Sequence, residues 1–162
     1  MATLRIKEIE EANTRTAKSV MAAGGLRCNV EMEGHITVID EPPERGGTNM
    51  GATPLLHMSA ALASCQTVQI AKVAESMRLN FGEIKIDATI DTGRGDGRED
   101  GARIIRIVGA KMVVSIETDA SEKKIERLKR LAVDRCPIGA LLDDAGVEPE
   151  IIWQILPLTG EQ

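Results

Sequence analysis

Aromatic side chains are nearly missing: Phe81 and Trp153 are the only large rings in 162 residues, and there is no tyrosine. The core must therefore be aliphatic, and the stacking platforms on which single-stranded nucleic acid lies are absent. A basic field is missing too. With a formal charge of −5 the chain offers phosphates no general attraction, so no nucleic-acid partner is expected. No stretch of 18 uninterrupted apolar residues occurs, and the opening MATLRIKEIEEANTRTAKSV lacks the basic-then-apolar order of a signal peptide. The expectation is a soluble, cytoplasmic protein with no membrane partner. Cysteines are few and odd in number, at 28, 65 and 136, without a CxxC pair. That excludes the disulfide framework of a small secreted fold. Two histidines and three scattered cysteines show no zinc-ligand spacing. Glycines 46, 47 and 51 form no phosphate-binding or dinucleotide pattern, and GRGDGRED at 93–100 lacks the terminal glutamate of an EF-hand. Neither metal nor cofactor is expected.

What is present fits one domain, with a charged N-terminal segment over 1–23 and the main body over 24–162. Residues 6–22 carry weak helical periodicity and read as a peripheral or partner-contacting segment. LRCNVEME then puts Leu26, Cys28, Val30 and Met32 on one face of a strand, with HITVID as its hairpin partner. A Pro- and Gly-rich loop leads to the long helix 54–77, for which Thr53 supplies an N-cap and Pro54 the first position. Apolar or small residues occupy most of its circumference, which predicts burial on several sides. GEIKIDATID alternates as a half-buried strand, TGRGDGREDGA reads as a turn, and RIIRIVGAKMVVSIET as a strand with a bulge or bend at Gly109. An amphipathic helix capped by Asp119 or Ser121, a short helix after Cys136 and the strand EIIWQIL complete an α+β plan with a mostly antiparallel sheet.

On local physics Cys136 is the leading reactive candidate. In DRCPIGALL, Pro137 suits the first helical position, which makes Cys136 an N-cap where free N–H groups stabilise a thiolate, with Arg135 adjacent. Cys65 lies mid-helix without help from the dipole, among Ala, Leu and Val, and by itself reads as a small core residue. Cys28 reads as core on a strand face. His57 precedes Cys65 by two helical turns, about 11 Å, too far for a Cys–His pair within one helix.

DEPPERGGTNMGATPLLHMSAALASCQ, followed some seventy residues later by RCPIGALL, resembles the osmotically inducible protein C / organic hydroperoxide resistance (OsmC/Ohr) family over roughly 24–157. The resemblance implies a long central helix against a curved antiparallel sheet and an intertwined homodimer with two active sites at the subunit interface. It further implies metal-free reduction of organic hydroperoxides, with Cys65 the peroxidatic thiol and Cys136 the resolving one. The sulfenic acid formed on the first would condense with the second, and a dithiol reductant would restore the pair. Peroxidase members commonly carry a glutamate after the helix-opening proline, where it helps hold an arginine over the thiol. Here that position is Leu55, with His57 the nearby polar residue of the pocket. Arg27 best matches the family's arginine, and Arg15 and Arg45 are alternatives.

The expected function is thus a thiol-dependent peroxidase in oxidative or osmotic stress defence. The alternative is a module of the same fold that binds a small apolar ligand at the dimer interface without peroxidase chemistry, a reading motivated by Leu55.

Overall fold

A computed structural model describes residues 13–21, 23–97 and 103–159. Its elements are β1 (Lys18–Met21), β2 (Cys28–Met32), β3 (His35–Ile39), a 3₁₀ turn (Pro43–Arg45), α1 (Pro54–Ser76), β4 (Phe81–Asp96), β5 (Arg103–Thr118), α2 (Glu122–Asp134), α3 (Pro137–Asp144) and β6 (Glu150–Leu156). The chain forms two compact units that divide between Met58 and Ser59. No composition break marks that division, because it falls inside the continuous helix α1.

In the first unit β1, β2 and β3 form an antiparallel sheet in that order. Glu33 and Gly34 both have positive φ, 50° and 91°, the backbone a two-residue hairpin turn needs to match strand twist. The periodicity of 6–22 does not continue as helix to its end, since Lys18–Met21 pairs with β2 as a strand. Four exposed residues gain their structure from the neighbouring edge rather than from a pattern of their own. Residues 6–12 of that segment lie outside the described residues.

The loop after β3 is gathered by a single carboxylate. Asp40 is buried and accepts hydrogen bonds from the Thr48 hydroxyl at 2.6 Å and from the backbone N–H groups of Glu41, Thr48 and Met50 at 2.8, 3.1 and 3.1 Å. The Thr48 hydroxyl leads in pulling its pKa down to about 2; burial opposes this, and the three N–H groups assist. The loop returns to the sheet through the Ile39–Ala52 bridge. It then reaches Thr53, whose Oγ1 accepts the Leu56 N–H at 3.4 Å as the expected cap.

The second unit contains a long antiparallel hairpin, β4 with β5, and β6 added parallel to β5. The hairpin arms are 16 residues each, longer than expected, because Thr92–Asp96 pair with residues 103–107 instead of turning. The register slips between Asp91 and Thr92, opposite Gly109, so of the bulge or bend expected at that glycine the structure has the bulge. Ser121 holds the N-cap position of α2 without a side-chain bond, while Asp119 accepts from Asn80 at 3.3 Å. Ile125, Leu128 and Ala132 form the buried face of α2, and Lys129 Nζ lies 6.0 Å from the centre of the Trp153 ring on β6. Met112, Val114 and Ile116 alternate into the core from β5.

α1 buries one stripe only: Leu62, Gln66, Ile70, Val73 and Ala74, spaced three or four apart with the last two adjacent. The expected burial on several sides is not met within one chain, and Leu56 and Val68 remain exposed. No helix among the described residues is long and apolar enough to cross a membrane.

Candidate functional site

Pro137 fixes the start of α3, so Cys136 becomes its N-cap, as expected. The Cys136 Sγ accepts the Gly139 N–H at 3.4 Å. The same sulfur lies near enough to the Cys65 thiol of α1 for the two to interact, and no bond joins them. Cys136 is buried and Cys65 only half-buried, so the two thiols differ in access to solvent.

The cap does not give Cys136 the low pKa expected of a helix N-terminus. Burial is the largest influence and pushes the thiol up; the Gly139 N–H pulls it down, contact with Cys65 and its charge push it up, and the Ile138 N–H pulls it down. Two backbone N–H groups are outweighed by loss of water and by a second thiol competing for the same charge. Cys136 is therefore a poor first nucleophile by protonation as well as by access.

The remaining candidates belong to the first unit. Leu55 is half-buried at the second position of α1, whose first turn carries no acidic residue. His57 places Nδ1 3.0 Å from the Thr53 carbonyl, one turn back on its own helix. Arg27 is exposed at the entrance to β2. Arg45 pairs with Glu41 at 3.3 Å, and Arg15 donates to the Thr14 carbonyl at 3.2 Å. Cys28 is half-buried on β2 and donates to the Leu26 carbonyl at 3.5 Å. Among the described residues no three His, Cys, Asp or Glu side chains gather as a metal site.

Two residues escaped the sequence reading. Asp40 draws donors from eight and ten residues downstream, which no local pattern announces. Gln66 was detectable: it lies four residues after Leu62 and four before Ile70, in phase with the buried face of α1.

Residues 47–151 match the model of the OsmC-like protein family. No curated protein matches the chain. Among solved structures, an OsmC like protein from Mycoplasma pneumoniae aligns with TM-score 0.73 and 16% identity, covering 90% of this chain and 99% of that one. An organic hydroperoxide resistance protein OsmC from Legionella pneumophila aligns at 0.64 and 19%, covering 91% and 99%. The organic hydroperoxide resistance protein OhrB of Bacillus subtilis aligns at 0.61 and 16%, covering 88% and 98%. At these identities the likeness is one of fold, and the α+β, mostly antiparallel architecture expected from the sequence is the one these structures share. With the matching stretch running from the loop before α1 through α3 to β6, and so enclosing both Cys65 and Cys136, the chain belongs to the OsmC-like family.

Proposed function

We propose that the protein is a thiol-dependent peroxidase that reduces organic hydroperoxides, with a role in oxidative or osmotic stress defence. The observation that carries this reading is the contact between the thiols of Cys65 and Cys136. Membership of the OsmC-like family and the fold shared with organic hydroperoxide resistance proteins support it.

The unequal burial of the two sulfurs supports distinct roles for them. Cys65, the more accessible, attacks the terminal oxygen of the hydroperoxide as thiolate. The O–O bond breaks, the alkoxide leaves as the alcohol after taking a proton, and Cys65 becomes a sulfenic acid. Cys136, held protonated until then, loses its proton and attacks the Cys65 sulfur. The oxygen departs as water and the disulfide forms. A dithiol reductant exchanges with the disulfide and returns both thiols. The Gly139 N–H on Cys136 Sγ favours its departure as thiolate in that last step.

The small and apolar faces of α1 left uncovered in one chain fit a homodimer in which a second copy covers them. An apolar surround favours organic hydroperoxides over hydrogen peroxide, since an alkyl group gains about 25 cal/mol per Å² of buried surface. The alternative, a non-peroxidatic module with an apolar ligand at the dimer interface, draws on Leu55 at the position of the family's glutamate.

Intact mass and non-reducing peptide mapping, before and after one equivalent of cumene hydroperoxide, decide between the readings. Rapid loss of two hydrogens with a Cys65–Cys136 peptide is expected. Unchanged thiols after many minutes would reject the peroxidase and leave the ligand-binding reading.

A further inference from the structure

Gln66 is 1% exposed, and its Nε2 has no hydrogen-bond partner among the described residues. A buried amide that donates to nothing is uncommon in a folded chain and calls for an acceptor. Its side chain lines a groove of about 620 Å³ together with Met112, Val133, Ile151 and Trp153. The groove lies wholly within the second unit, among α1, α2, α3, β5 and β6, and needs no second chain to form.

A single water is a poor occupant. The volume far exceeds the roughly 30 Å³ that one water takes in the liquid, and a buried water needs two to four polar partners. Among the described residues that line the groove, Gln66 is the buried polar side chain. Charge around the groove selects further. Lys129 and Arg130 face Asp134, Asp143 and Glu148, and Lys129 is already held by Glu126 at 2.7 Å. Among the described residues three carboxylates thus stand against one cation without an ion pair, which disfavours an anionic ligand.

We infer that this groove is a binding site for a neutral, mostly apolar small molecule bearing one hydrogen-bond-acceptor oxygen, such as a carbonyl or ether, which accepts from Gln66 Nε2. Trp153 and Met112 enclose its apolar body. The site requires no thiol chemistry and is complete within one chain.

Trp153 is the only tryptophan in the chain, so its emission reports the groove directly. The reduced full-length protein is titrated with 2-octanone, which is not an oxidant, and with octanoate as its anionic counterpart. Saturable change in emission with 2-octanone is expected, at an affinity about tenfold or more above that for octanoate. Gln66→Leu should weaken 2-octanone about five- to tenfold, the range of one lost hydrogen bond, without lowering the melting temperature. Should that variant not fold, Gln66→Met serves in its place. In amide NMR spectra the Gln66 side-chain NH₂ should shift on adding 2-octanone. No saturable response, equal affinity for octanoate, or an affinity unchanged by the Gln66 substitution would each overturn the assignment. Because no probe oxidises thiols, none of these results bears on the peroxidase.

Discussion

The Cys65 thiol of α1 lies within interaction range of the Cys136 thiol at the cap of α3, and the second is buried while the first is half-open. Seventy-one positions of sequence separate them, yet the fold brings one accessible and one protected sulfur together, and the proposed mechanism uses them in that order.

That order predicts unequal substitutions. Cys65→Ser should abolish hydroperoxide consumption. Cys136→Ser should consume one equivalent and stop, with one oxygen gained on the Cys65 peptide, because the sulfenic acid then has no resolving thiol. Intact mass after cumene hydroperoxide measures both. Full turnover in Cys65→Ser would show that another group carries the chemistry.

Asp40 makes the first unit sensitive to acid. Its folded pKa of about 2 lies below its ordinary value of 3.8, so the unfolded chain binds more protons between those values and stability rises with pH there. The contribution is complete above about pH 4–5 and is lost as pH falls through about 2. Thermal melts of wild type and Asp40→Asn should show wild type the more stable by a gap that is constant above pH 5 and closes toward pH 2. A gap independent of pH would mean that hydrogen bonding without charge holds the loop.

Gly47 and Gly51 lie in the same loop under a steric constraint rather than a conformational one, since neither has positive φ. A Cβ at Gly47 would meet the Glu41 carbonyl, and one at Gly51 the Val38 carbonyl, both backbone atoms that cannot swing aside. Either Gly→Ala change should destabilise by about 1–3 kcal/mol or more, as overpacking does. Gly25→Ala, where nothing stands within 4 Å, is the control and should change little. Urea denaturation compares the three.

These contacts also mark what could be read from the linear chain. Pro137 announces α3 and its cap, because a proline restricts the backbone locally; burial of Cys136 depends on the whole fold and reverses the pKa direction that the cap implies. The hairpin at Glu33 and Gly34 is legible from alternation around a glycine. Gly93 and Gly95 mislead for the converse reason: they read as a turn, yet they pair with Arg106 and Ile104 inside a long ladder. β1 leaves no trace, as four exposed residues have no face to pattern. The meeting of Cys65 with Cys136 came only through resemblance, since no local rule joins a mid-helix residue to a distant cap.

Leu55 occupies the position where the resemblance implies a glutamate that helps hold an arginine over the peroxidatic thiol. The first turn of α1 has no acidic residue, and a carboxylate there is favoured by the helix dipole by about 0.3–1 kcal/mol, so Leu55→Glu should fold. If the arginine of the resemblance is Arg27, the new carboxylate would hold its guanidinium, and a cation near a thiol moves its pKa down by about 1–3 units. Below that pKa each unit gives about tenfold more thiolate, so oxidation of Leu55→Glu by cumene hydroperoxide should run about tenfold faster or more. Adding Arg27→Ala should remove the gain. A gain that survives it but falls with Arg15→Ala or Arg45→Ala moves the role to that arginine. A rate no faster than wild type would show that the peroxidatic thiol, if Cys65 turns over at all, works without a carboxylate latch.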